Sequence, residues 1–418
     1  MTFALAKFRA QLYGFAEFDA IEDSTQSFND LAGNALVARP GSFAAGRART
    51  TFGARNSRIG LKMGGPGSDT VKTSGIVEMD FLGNQPANPP AFGEGAFFTS
   101  PTFRVRHMAL KLETPYVDVL AGQYWELFGW QSYFHPNTVE IQGVPGQVYS
   151  RAPQIRLSHT FKTDAVNVEL AVAASRPPQR DAGVPDGQAG LRLLVNKWQG
   201  FHTAGATGTA VDAAGLGVSG TFRHFAVANF AAAPTETVKK NGWGVSIDAL
   251  LPVVPATKDN HENALTLTGS FVTGSGISDL YTGLTGGSGF PALPIPMGAT
   301  AAPPYPANID AGLVTYDKDG NLHTVDWRSF IVGLQYYLPV GNLWVSGNYS
   351  QMHSGNIASY GADPTKVFKD SNWFDANLFW DANGAARFGL EYAHFQQKYA
   401  DDKKANNDRV QLSAFYIF

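Results

Sequence analysis

Arg409-Val410-Gln411-Leu412-Ser413-Ala414-Phe415-Tyr416-Ile417-Phe418 closes the chain, and its reading decides the fold class. One face carries Val410, Leu412, Ala414, Tyr416 and Phe418. The other opens polar with Arg409, Gln411 and Ser413, then turns apolar at Phe415 and Ile417. A strict period of two is a strand. An aromatic residue at the strand end suits a membrane interface, where a ring sits at headgroup depth. The competing reading is the terminal strand of a soluble sandwich, whose apolar face would need a covering layer.

Composition favours the first reading. A chain of 418 residues would ordinarily divide into two or three soluble domains, whereas a closed barrel spends that length on one, 1–418. Charged residues are 16%, below the usual quarter, yet mean hydropathy is only -0.14. Few charges at middling hydropathy fit strands wet on one side and oiled on the other. With no Cys, disulfide scaffolds and thiolate metal sites are excluded. The net charge of -3, with no basic run, gives no sign of nucleic-acid binding. No run of 18 apolar residues offers a transmembrane helix. Met1 to Lys7 has neither a basic start nor a long apolar core, so the chain reads as a mature, exported polypeptide. The competing reading is a cytoplasmic protein.

Working back from the terminus, the same alternation recurs. From Lys7 to Ala20, Phe8, Ala10, Leu12, Gly14, Ala16, Phe18 and Ala20 oppose Arg9, Gln11, Tyr13, Phe15, Glu17 and Asp19. Further strands are expected over 51–64, 71–81, 103–113, 116–125, 154–161, 166–174, 188–198, 215–227, 242–251, 264–273, 326–338, 342–352, 371–381, 386–399 and 408–418. That makes about sixteen, the even number a bacterial barrel requires. Connections alternate between short (162–165, 339–341, 382–384) and long (21–49, 126–153, 274–324). The pattern predicts an all-β transmembrane antiparallel barrel with short periplasmic turns and long extracellular loops. One gap breaks it: 199–214 should be a tight turn but is long and Gly/Ala-rich. Either a strand boundary is misplaced there or the turn carries an insertion.

Ser57-Arg58-Ile59-Gly60-Leu61-Lys62, Val77-Glu78-Met79-Asp80-Phe81, Arg104-Val105-Arg106-His107, Ala121-Gly122-Gln123-Tyr124-Trp125, Arg387-Phe388-Gly389-Leu390-Glu391-Tyr392 and Phe418 resemble segments of trimeric sixteen-stranded porins of Gram-negative outer membranes. Within these the chain looks most like the DcaP-like porins. The resemblance implies a homotrimer among outer-membrane lipids and lipopolysaccharide. It also implies a third loop folded inward to narrow the pore, matched in position by 126–153, and passage of small hydrophilic solutes, leaning to anions such as dicarboxylates. The chain departs from that family in having no heptads before Lys7.

A porin breaks no bond, so neither catalytic residues nor a cofactor are expected. Its working parts are a constriction and the field across it. Arginines, Arg328 among them, dominate the polar faces, and their forked donors suit carboxylates. Arg58, Arg104, Arg106 and Arg156 are expected to form a basic wall. Glu126, Tyr133, His135 and Glu140 on 126–153 would face it across the lumen. The bland alternative is that Glu78 and Asp80 on a neighbouring strand neutralise the arginines, whose task would then be rigidity. Phe8, Phe18, Tyr336, Trp344, Trp380, Tyr392, Tyr416 and Phe418 are read as interface girdles.

Enzyme-like matches fail on context. Gly215-Leu216-Gly217-Val218-Ser219-Gly220 fits a dinucleotide fingerprint but lies inside an alternating strand instead of opening a helix. His261-Glu262 lacks the second histidine of a zinc protease. Asp317-Lys318-Asp319-Gly320-Asn321 lacks the distal glutamate of a calcium loop, so it reads as a polar turn and no metal site is expected. The alternatives to a diffusion porin are a substrate-specific channel gated by 274–324, or a barrel enzyme or adhesin using its long loops.

Overall fold

A computed structural model describes residues 2–5, 8–68, 70–83, 98–140, 142–179, 182–204, 208–257, 260–284, 294–301, 312–360 and 363–418. Among them sixteen long strands form one antiparallel barrel. They are β1 (Phe8–Asp23), β2 (Arg49–Gly53 continued by Arg58–Gly64), β3 (Lys72–Asp80), β4 (Arg104–Glu113), β5 (Asp118–Trp125), β6 (Arg151–Lys162), β7 (Val166–Ser175) and β8 (Asp186–Ala204). Then follow β9 (Gly208–Ala228), β10 (Thr237–Val254), β11 (Leu265–Ser275), β12 (Asp326–Tyr337), β13 (Leu343–His353), β14 (Phe368–Asn383), β15 (Ala386–Tyr399) and β16 (Lys404–Ile417). The C-terminal strand closes the ring against the first, from Phe15↔Ile417 to Asp23↔Arg409. Closure leaves no unpaired edge, so backbone groups are satisfied without water from the lipid side.

The alternation read from the sequence sorts the two faces. Leu378, Leu390 and Leu412 are cross-strand neighbours and all face out, while Asn377, Glu391 and Gln411 between them are buried inside. Outward side chains of β15 run Ala386, Phe388, Leu390 and Tyr392, then turn polar at His394, Gln396 and Lys398, which marks the end of the apolar band. Leu390 therefore lies mid-band, and Leu390→Arg should lower the unfolding free energy by about 2–4 kcal/mol. Urea titration in lipid vesicles measures it. A loss below about 0.5 kcal/mol, usual for a water-exposed sheet position, would refute the lipid contact.

Four expectations are corrected. Of the two readings of the 199–214 gap, the misplaced strand boundary holds and the insertion does not: β8 and β9 continue, pairing from Gln199↔Ala213 to Ala204↔Gly208 after a register shift at Val195/Gln199. The turn itself, 205–207, lies outside the described residues, as does most of the Pro-rich loop 83–102. The expected second strand is broken at 54–57, where Arg55 and Asn56 turn inward to Asp30 and Asp19. Trp344 is no girdle residue; it is buried in the lumen, stacked on Phe379 at 3.9 Å. Arg328 sits on the outward set of β12, because Trp327 and Ser329 take the lumen positions.

Nor is the inside uniformly polar. Trp327, Ile331, Tyr337, Met352, Trp373, Phe379 and Phe395 face inward from β12 to β15 and are buried. Two long connections cover them. Leu127, Phe128, Trp130, Phe134, Val139, Val144 and Val148 of 126–150 pack into the barrel, as do Ile277, Leu280, Tyr281 and Leu284 of 276–284. Burying each such side chain contributes about 1.5–3 kcal/mol, which outweighs the entropy of ordering one loop residue, about 1–2 kcal/mol.

Candidate functional site: a loop-narrowed lumen

The path of 126–150 is set by polar pegs on several walls. Phe128 N–H donates to Gln188 Oε1 (3.1 Å) and Gly129 N–H to Ser219 Oγ (2.7 Å), fixing the first turn against β8 and β9. Trp130 and Phe134 then lie over Gly190 and Gly217. A Cβ at Gly217 would stand 2.7 Å from Phe134 and 2.8 Å from Trp130. The glycines that mimic a nucleotide fingerprint thus make a flat floor for loop aromatics. Farther on, Val139 N–H donates to Asn377 Oδ1 (2.9 Å) and Asn348 Nδ2 to the Asn137 carbonyl (2.7 Å). Gln142 returns to the first wall, accepting from Arg104 (2.9 Å) and donating to Asn56 (3.1 Å).

Among the described residues, cavities lie at three levels along the lumen. At the long-loop end, about 290 Å³ is bounded by Glu126, Arg151, Arg176, Arg223 and Asp279. A central cavity of about 330 Å³ lies between the loop and β1–β5, with Arg58, Arg106, His107, Trp125, His135 and Tyr149 on its walls. Toward the short-turn end, about 360 Å³ is bounded by Lys111, Asp118, Arg156 and Glu169. The last two share Lys62, Ile76 and Tyr124, so they are continuous.

Arg58, Arg104 and Arg106 come together, but around acids. Arg106 donates to Glu78 (2.7 Å), Asp80 (3.1 Å) and the Tyr149 hydroxyl (3.2 Å). Arg104 donates to Asp80 (2.9 Å), and Arg58 lies 3.7 Å from Glu78. Arg156, five residues along β6 from Arg151, bonds the Gln154 amide (3.1 Å) and the Trp125 carbonyl.

The loop residues scatter. Glu126 accepts from Gln188 (2.7 Å), and Tyr133 donates to the Ala213 carbonyl (2.5 Å). Glu140 N–H donates to Glu391 (3.1 Å) on β15. Only His135 of the four lines the central cavity, stacked on Tyr149. Burial pushes the carboxyls of Glu126 and Glu140 up, and Glu391 beside Glu140 pushes it further. Burial thus favours the neutral form of both, and neither lines the central cavity.

One residue escaped the sequence reading. Alternation puts Arg151 with Pro153, Ile155 and Leu157, yet at the strand end its guanidinium turns in over Trp125 (4.7 Å) and Tyr149 (5.2 Å). Its Nη1 is buried without a hydrogen-bond partner among the described residues. Arg58, Arg104, Arg106 and Arg151 against Glu78 and Asp80 leave two positive charges at the narrow part.

Burial alone would raise the Tyr149 phenol, but the guanidiniums of Arg106, Arg151 and Arg58 overcome it and bring it down to about 8. Burial also pushes the His135 imidazole down to about 3, so it is neutral. Elsewhere, Asp317 accepts from the Asp319 and Asn321 N–H groups (2.9 Å each) and lies 2.9 Å from His323, a self-satisfied turn.

No protein-family model and no curated protein sequence matches the chain. Among solved structures, the outer membrane channel DcaP of Acinetobacter baumannii is similar over 99% of both chains, at 18% identity and a TM-score of 0.68. The anion-selective porin from Comamonas acidovorans is similar over 98% of this chain and 100% of its own, at 11% identity and TM-score 0.54. The in-vitro folded trimer form of OmpT, an outer membrane protein of Vibrio cholerae, covers 98% and 99%, at 12% identity and TM-score 0.53. At these identities the likeness is one of fold. The chain has the sixteen-stranded barrel of outer-membrane porins, as the sequence resemblance implied.

Proposed function

We propose that the protein is a bacterial outer-membrane porin that passes small hydrophilic solutes by diffusion and prefers anions. The observation that carries the preference is the surplus of two guanidinium charges where 126–150 narrows the lumen. A charged ring in a low-dielectric constriction concentrates the opposite ion. The loop acts as the constriction, and Arg58, Arg104, Arg106 and Arg156 together with Arg151 form the basic side. Glu78 and Asp80 offset part of that charge and hold the guanidiniums in place, so the two roles weighed for these arginines coexist. Dicarboxylates are among the small anions that this reading would pass. Trimeric assembly among lipid and lipopolysaccharide accords with the trimer form of one structural relative and with the outward apolar band. Named relatives are channels and porins, which supports transport over catalysis.

Reversal potentials across planar bilayers in a KCl gradient test this. Chloride should be preferred at pH 7, and the preference should fall between pH 7 and 9. The sign follows from Tyr149: as pH rises through about 8 its phenol gains a negative charge beside Arg106, Arg151 and Arg58. His135 is already neutral in that window. Tyr149→Phe should flatten the dependence. Cation preference at pH 7 would overturn the proposal.

A further inference from the structure

Five side-chain nitrogens of residues that line the central cavity are buried without a hydrogen-bond partner among the described residues: Arg58 Nε, His107 Nδ1, His135 Nε2, Asn137 Nδ2 and Gln147 Nε2. One such atom is an ordinary exception, whereas five converging on about 330 Å³ describe a site that a solute completes. Their chemistry is not uniform. Gln147 Oε1 accepts from Val144 N–H (3.2 Å), which leaves its NH₂ as an unused donor. Asn137 presents a second NH₂ donor. His135 is neutral, and the Val148 carbonyl accepts from its ring N–H, so Nε2 offers a lone pair. The strand wall carries the charge, Arg58 and Arg106 about Glu78, and the rings of Tyr13, Tyr124 and Trp125 line the same cavity.

We infer that the central cavity is a saturable binding site for a small hydroxylated monocarboxylate, of the sugar-acid class. The carboxylate sits at Arg58, since Arg106 spends its donors on Glu78, Asp80 and Tyr149, and the hydroxyls meet the Asn137 and Gln147 amides and the His135 lone pair. A hydroxyl both donates and accepts, so it satisfies this mixed set. A second carboxylate only accepts, and would set negative charge against the His135 lone pair. Aromatic walls suit the C–H edges of a polyol chain or ring. The inference rests on the channel reading above and adds that passage saturates.

The test is block of single-channel chloride current by sodium gluconate, with propionate, succinate and glucose as comparisons. Gluconate should block saturably, at a half-blocking concentration about tenfold or more below the others, since two added hydroxyl bonds are worth about that factor. Asn137→Ala and Gln147→Ala should each raise the gluconate value about fivefold while moving the propionate value less. Succinate or propionate blocking as tightly as gluconate, or block that grows linearly without saturation, overturns the inference and leaves the porin intact. Stepwise conductance that never appears defeats the channel reading itself.

Discussion

Arg151→Glu should lower the anion-to-cation permeability ratio about tenfold, with reversal potential as the readout. Two opposite unit charges a few ångströms apart interact by about 3 kcal/mol at an effective dielectric near 20, and salt in the lumen screens about half of that; about 1.4 kcal/mol is tenfold. The substitution removes one positive charge and adds a negative one, which cancels the surplus of two left after Glu78 and Asp80 are counted. Arg151 is the sensitive position because aromatic faces hold it, Trp125 at 4.7 Å and Tyr149 at 5.2 Å, and its Nη1 is unbonded. Arg106, by contrast, spends its donors on Glu78, Asp80 and Tyr149. Arg151→Gln, which keeps the length and loses the charge, should give about half the effect in free energy, roughly threefold. A permeability ratio unchanged in both variants would move selectivity away from this position.

The same residue shows where sequence reading stops. Period two is imposed on every strand by the backbone, so closure, strand number and the outward leucine row were all readable from residues such as Leu378, Leu390 and Leu412. Strand ends escape that rule. Arg151 belongs to the outward set by count, yet there the chain leaves the sheet and its side chain swings over the loop. The pairing of Arg58, Arg104 and Arg106 with Glu78 and Asp80 was foreseeable as an alternative, since these residues lie on adjacent strands. The directions of Glu126 and Glu140 were not. A loop carries no period, and its course depends on which walls offer pegs, here Gln188, Ser219, Asn348 and Asn377. One signal was present: small residues at Gly190, Gly215 and Gly217 on neighbouring strands, which make room for Trp130 and Phe134.

Arg223→Ala should lower unfolding stability by about 3 kcal/mol, the cost of leaving the buried Asp186 carboxylate without its cation, and should also make the open channel noisy. Arg223 is 2% exposed and donates to Asp186 (2.9 Å), to both Asp279 oxygens (2.5 and 2.7 Å) and to the Gly276 carbonyl (2.9 Å). It thereby ties 276–284 to β8 and β9. That segment in turn holds the constriction loop through backbone bonds: Thr282 N–H to Gln147 O (2.8 Å), Tyr149 N–H to Leu280 O (2.9 Å) and Gly146 N–H to Thr282 O (3.0 Å). Cutting the tie frees one edge of the narrowing, so single-channel records should show substates and a higher mean conductance. Charge and tether are separable. The triple variant Arg223→Ala, Asp186→Asn, Asp279→Asn removes the unpaired charges and should recover much of the stability, yet it should stay noisy because the tether remains cut. If the triple variant conducts at one quiet level like the parent, 276–284 is held by its apolar contacts alone, Ile277, Leu280, Tyr281 and Leu284 against Phe128, Val148 and Trp327, and Arg223 serves only to neutralise its acids.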